Sequence, residues 1–65
     1  MVYEAVYNVR LTREQLTALK ERFGVALEVA GRFGGGDYNI GLLWSEREEE
    51  FVQWCEENKV EAKLL

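Results

Sequence analysis

An α+β domain is predicted by three observations: four short segments alternate apolar and polar residues, two stretches carry a helix-start signature followed by a helical apolar stripe, and one run of glycines separates the middle pair of alternating segments. The elements follow in order. Val2 to Leu11 alternates, with Tyr3, Ala5, Tyr7, Val9 and Leu11 on one parity and Val2, Glu4, Val6, Asn8 and Arg10 on the other. Period two with β-branched and aromatic residues predicts a strand with one buried face. Thr12-Arg13-Glu14-Gln15 is a capping box, flanked by Leu11 and Leu16 in positions for a hydrophobic staple. Leu16, Leu19 and Phe23 then form a helical stripe, which Gly24 ends by tolerating a left-handed conformation.

A second strand is expected from Val25, Leu27 and Val29, its parity continuing through Gly31 and Phe33. A third is expected from Tyr38, Ile40 and Leu42. Gly34-Gly35-Gly36-Asp37 joins them as a hairpin, and three glycines predict a mobile tip. Ser45-Glu46-Arg47-Glu48 is a second capping box. In the helix it opens, Phe51, Val52 and Cys55 face inward with Trp54 at their margin, and Asn58 supplies a left-handed stop. Val60, Ala62 and Leu64 give a short last strand. Strand, helix, strand, strand, helix, strand is the split βαβ, or ferredoxin-like, pattern over a single domain, residues 1–65. Right-handed crossovers give a four-stranded antiparallel sheet in the spatial order 4-1-3-2, with both helices on one face. The open face is expected to carry Val2, Glu4, Val6, Asn8, Arg10, Asn39, Gly41 and Leu43. Glu28, Ala30 and Arg32 flank these on one side, Glu61 and Lys63 on the other.

Composition narrows the function classes. Sixty-five residues bury only ~60% of their unfolded surface, so every core position counts. Cys55 is the single cysteine, which rules out an intrachain disulfide and suits a reducing cytoplasm. The opening residues MVYEAVYNVR have neither the basic start nor the apolar run of a secretion signal, and no apolar stretch approaches a membrane span. With no histidine, a zinc site would need carboxylates and one thiolate, so neither metal nor cofactor is expected. A net charge of −4 disfavours direct nucleic-acid binding and anionic lipid, and favours a basic partner.

That charge is concentrated. Ser45 to Glu57 holds six acids and one base, so the rest of the chain sums to +1. Carboxylates in a first helical turn are favoured by the helix dipole, which accounts for Glu46 and Glu48. The dipole disfavours Glu56 and Glu57 at the other end. Glu49, Glu50, Gln53, Glu56 and Glu57 are expected on the outer side of the helix, beside Trp54, and a row of carboxylates there would complement a basic groove. A tryptophan rimmed by acids suits an arginine-bearing partner. The competing reading is a solvated face with Trp54 as core cover.

The remaining constellations read as structure. Tyr3, Tyr7 and Tyr38 share the apolar parity, so they are expected under the helices, leaving the open face without aromatics and setting aside RNA binding by base stacking. The glycine run has no strand-glycine-helix context for a phosphate nest. Cys55 lies in an apolar stripe and should be inert. No catalytic triad or raised-pKa carboxylate pair can be assembled, so no enzyme is expected.

With Glu46, Glu48, Glu49, Glu50, Glu56 and Glu57 in one segment of a 65-residue βαββαβ chain, the protein resembles small bacteriophage-encoded inhibitors, the anti-CRISPR proteins among them. The resemblance implies an inhibitor in the cytoplasm of an infected or host bacterium, and a monomer is favoured. It would bind an effector subunit of a bacterial CRISPR-Cas complex, several relatives of this type occupying the basic surface meant for target DNA. The alternative is a self-associating regulatory or small-ligand-binding module, since Val2, Val6 and Leu43 give the open face apolar area that ferredoxin-like sheets often bury in a homodimer.

Overall fold

The computed structural model describes residues 2–65. Its elements are β1 (Ala5–Arg10), α1 (Arg13–Phe23), β2 (Leu27–Gly34), β3 (Asp37–Leu42), α2 (Glu48–Glu57) and β4 (Ala62–Leu64), with 3₁₀ turns at Gly24–Ala26 and Ser45–Arg47. The strands form one antiparallel sheet in the order β2-β3-β1-β4, the ferredoxin-like arrangement expected of two right-handed crossovers. Tyr7, Val9, Leu27, Ile40 and Leu42 of the sheet pack with Leu16, Leu19 and Phe23 of α1 and with Phe51, Trp54 and Cys55 of α2. Both helices therefore cover the same face. Phe51 sits at the centre, its ring 5.1 Å from Tyr7 and 6.1 Å from Phe23.

Local chemistry sets the ends of α1. The Thr12 hydroxyl accepts from the Gln15 backbone N–H at 3.1 Å, and the Thr12 N–H donates to Gln15 Oε1 at 3.0 Å, completing the capping box. Gly24 closes the helix at φ 55°, ψ −127°, a conformation that side chains rarely adopt. The two helices run antiparallel: Gln15 Nε2 of α1 donates to the Asn58 carbonyl after α2, and Arg22 near the end of α1 meets Glu50 near the start of α2.

Several local expectations are corrected. The second capping box does not form. Ser45 enters a 3₁₀ turn, and the Glu48 carboxylate accepts the Tyr7 hydroxyl instead of reaching back to Ser45. Trp54, not Val52, joins the core: Phe51, Trp54 and Cys55 follow i, i+3, i+4, and this puts Val52 on the outer side. The left-handed residue after α2 is Lys59 at φ 56°, while Asn58 has φ −98°. Lys59 N–H donates to the Glu56 carbonyl and Val60 N–H to the Cys55 carbonyl at 2.8 Å, the paired bonds of a Schellman motif. Val25 lies in the 3₁₀ turn before β2 and is exposed, and Ala26 takes the buried position.

The glycine run makes a two-residue turn between β2 and β3. Gly35 and Gly36 have φ 62° and 80°, the positive values that the hairpin twist requires at both central positions. The tip is also tied down. Leu11 N–H donates to the Gly36 carbonyl at 2.9 Å, and a Cβ on Gly36 would lie 2.6 Å from the Leu11 carbonyl oxygen. The three glycines thus fit a defined geometry and are not surplus length.

Two β-bulges in β2, between Val29 and Gly31 and between Arg32 and Gly34, interrupt the alternation expected along that strand. Beyond the first, Gly31 pairs with Asn39 and turns to the open face, and Arg32 moves to the helix side, where its guanidinium lies 5.8 Å from the centre of the Tyr38 ring. Phe33 follows Gly31: its ring covers the site of the missing Gly31 Cβ. At the other end of the sheet, β1 begins at Ala5, after a bend at Glu4. The alternation does not extend back to Tyr3, whose ring lies over Gly41 on the open face.

Candidate protein-binding surface

Helix α2 brings four of the six expected contact residues to one surface. Glu49, Gln53, Glu56 and Glu57 are exposed, and their spacing places them along the outer side of the helix. Val52 lies among them, 36% exposed. Among the described residues, no cation forms an ion pair with Glu49, Glu56 or Glu57. The exposed Glu46 lies in the 3₁₀ turn just before the helix.

The other two expected residues are engaged internally. Glu50 is half-buried and receives Arg47 Nε at 2.7 Å and Arg22 Nε at 3.0 Å. These two guanidinium groups hold its carboxyl below the usual carboxylate range. Arg47, the one base in the acidic segment, also lies 4.7 Å from the centre of the Phe23 ring, so it is committed to the junction of the two helices. Trp54 is only 6% exposed and is part of the core. The accessible tryptophan is Trp44, 45% exposed, at the entrance to the 3₁₀ turn that leads into α2. Periodicity does not single out Trp44, because it belongs to no stripe. That same isolation, next to an acidic run, is the signal that points to it.

Burial pushes the Cys55 thiol up to about 11, so it stays protonated at neutral pH and is a poor nucleophile. Burial, followed by the hydrogen bond to Glu48, pushes the Tyr7 phenol up to about 12. Its role is to tie β1 to the first turn of α2. No group of three or more metal-ligating side chains occurs among the described residues. No helix of the described residues is long and apolar enough to cross a membrane.

The opposite, open face of the sheet has its own chemistry. The Tyr3 ring lies over Gly41 and the outer edge of the Phe33 ring lies against Gly31, so the face carries two aromatic rings where none was expected. The Tyr3 hydroxyl donates to Glu28 Oε1 at 3.0 Å, and that hydrogen bond, more than desolvation, raises the Tyr3 pKa. In the centre, the Asn8 amide donates to Asp37 Oδ1 at 2.7 Å and to Asn39 Oδ1 at 3.1 Å. Beside it a shallow hollow of about 150 Å³ is lined by Asn8, Arg10, Glu61 and Lys63. Glu28, Asp37 and Glu61 offset Arg10 and Lys63, so the aromatics lack the basic surround that nucleic-acid phosphates need.

Comparison of the chain with protein families, with curated proteins and with solved structures finds no match.

Proposed function

We propose that the protein is a non-enzymatic binding module whose acidic helix α2 docks on a basic surface of a partner protein. The observation that carries this reading is the exposed row Glu49, Gln53, Glu56 and Glu57, whose three carboxylates meet no cation among the described residues while Arg22 and Arg47 both serve Glu50. Two of these acids stand in the last turn, where the helix dipole works against them, so helix stability does not explain their presence. A ridge of unpaired carboxylates is complementary to a groove that binds nucleic-acid phosphates, and such fields accelerate encounter. Trp44, exposed just before the 3₁₀ turn that leads into α2, is an aromatic residue of the kind enriched in protein interfaces. The resemblance to anti-CRISPR proteins points to the DNA-binding surface of a CRISPR-Cas effector in the bacterial cytoplasm, with inhibition by exclusion of the target.

The test is competition. Purified effector complexes are assayed for target-DNA binding with and without the protein, over a range of salt. The reading expects competition that weakens as salt rises. It also expects a Glu49→Lys, Glu56→Lys, Glu57→Lys variant to fold normally and lose at least about tenfold in affinity. Competition by this variant with an unchanged salt dependence would reject the acidic helix as the contact. Absence of competition with every effector tested would reject the partner class.

A further inference from the structure

We infer that the hollow on the open face of the sheet, between β1 and β4, is a binding site for a small free α-amino acid. Its lining side chains present both signs of charge within the span of one small zwitterion.

Strand register sets the geometry. Asn8 of β1 pairs with Lys63 of β4, and continuing that register by two residues sets Arg10 across from Glu61, just before β4. All four side chains line one hollow of about 150 Å³. The two cations thus stand on one diagonal of the quartet, with Asn8 and Glu61 on the other. Diagonal neighbours lie about 7–8 Å apart, so two long basic side chains can converge on a single carboxylate between them.

These groups are not engaged elsewhere. Among the described residues no ion pair involves Arg10, Lys63 or Glu61, although all three share the hollow. Asp37, the other acid at this end of the face, accepts from the Asn8 amide at 2.7 Å, and Asn39 Oδ1 accepts from the same nitrogen at 3.1 Å. An ionised carboxylate only accepts, so Asp37 fixes the donor end of the Asn8 amide toward β3. The amide's Oδ1 is left over, and it accepts from no side chain among the described residues.

The mixture of charges selects the ligand. A simple anion would meet Arg10 and Lys63 but also Glu61, and a simple cation would meet Glu61 but also two like charges. A molecule with a carboxylate and an ammonium on one carbon satisfies both sets. Its carboxylate takes the Arg10 and Lys63 donors, and its ammonium donates to Glu61 and to Asn8 Oδ1. A cavity of about 150 Å³ holds a molecule about the size of benzene, which matches glycine, alanine or serine. The hollow lies on the sheet face opposite the helices, so this site is separate from the acidic side of α2 and does not depend on the function proposed above.

Because the hollow is open to water its charges are screened, and a dissociation constant on the order of millimolar is expected. The full isotope-labelled chain is titrated with alanine to about 50 mM at low salt, and backbone amide shifts are followed by two-dimensional NMR. Saturable shifts should centre on Asn8, Arg10, Glu61 and Lys63. Sodium acetate or methylammonium chloride alone, at matched ionic strength, should bind at least about tenfold more weakly than alanine. Arg10→Gln, Lys63→Gln and Glu61→Gln should each weaken alanine binding at least about fivefold. All three side chains are exposed, and the amide spectrum itself reports that the fold is kept. Glu49→Gln on α2 should leave alanine binding unchanged. Absence of saturable shifts, or shifts centred away from the hollow, overturns the inference. So does acetate binding as tightly as alanine, which makes the hollow an anion site only, or alanine binding indifferent to all three substitutions.

Discussion

Lys59 shows how a single residue can be read wrongly for a sound reason. Asn58 is the better left-handed residue of the two, and the sequence expectation placed the stop there. In the structure Asn58 acts differently. Its side-chain amide donates to the Trp54 carbonyl at 2.9 Å, capping the end of α2 from a right-handed backbone. The left-handed position then falls one residue later, on a lysine that bears the steric cost of its Cβ. Lys59→Gly should therefore stabilise the protein by about 1 kcal/mol, read as a higher urea midpoint at unchanged m-value. A lower midpoint would show that the Lys59 side chain contributes more than its backbone strain costs. Glu48 carries a related lesson. It matched a capping box by spacing, but the Tyr7 hydroxyl, distant in sequence, is its actual partner.

Among the elements, α1 was fully legible, because Thr12, Gln15 and Gly24 are local signals acting on local backbone. Helix α2 was legible at its end but not at its start, where Ser45–Arg47 forms a 3₁₀ turn, and it was misjudged in rotation, since Val52 and Trp54 are both apolar and only packing in the shared core chooses between them. Strand β2 was legible only up to its first bulge, because an extra residue inverts the assignment of face until the second bulge restores it at Gly34. The β2–β3 hairpin is marked in the sequence by its glycine run, yet these glycines are not equivalent. A Cβ on Gly35 meets nothing within 4 Å, whereas one on Gly36 meets the Leu11 carbonyl. Gly35→Ala should cost about 1 kcal/mol from positive φ alone, and Gly36→Ala about 3 kcal/mol because backbone must also move. Equal midpoints for the two variants in chemical denaturation would show that the tip does not pack as described.

For the molecule as a whole, the two most strongly shifted groups titrate in the same direction. The Cys55 thiol is raised from 9.0 to about 11 and the Tyr7 phenol from 10.0 to about 12. Each binds its proton more tightly in the fold, so its contribution is complete below the unfolded value and is lost as pH rises through the folded one. Stability should begin to fall near pH 9 and continue to fall toward pH 12, measured as the urea midpoint between pH 8 and pH 11. Cys55→Ala should flatten the first part of that decline, whatever its effect at neutral pH. A wild-type midpoint that does not change across the range would contradict the burial assigned to both groups.

The arrangement of the four strands and two helices was readable from the chain, because it depends on short-range causes: alternation, capping, helical stripes and turn glycines. Of the candidate contact residues, Glu49, Gln53, Glu56 and Glu57 were readable too, since a polar run on an amphipathic helix faces outward with few alternatives. The remaining two were not. Glu50 is held by Arg47, three positions away, and by Arg22, twenty-eight positions away, and Trp54 is drawn into a core to which both helices and the sheet contribute. Tyr3 and Phe33 changed faces for the same kind of reason, one through a bend and a glycine trough, the other through a bulge. Contacts between residues distant in the chain decide which polar groups are already paired and which aromatic rings are exposed, and local periodicity carries no information about either.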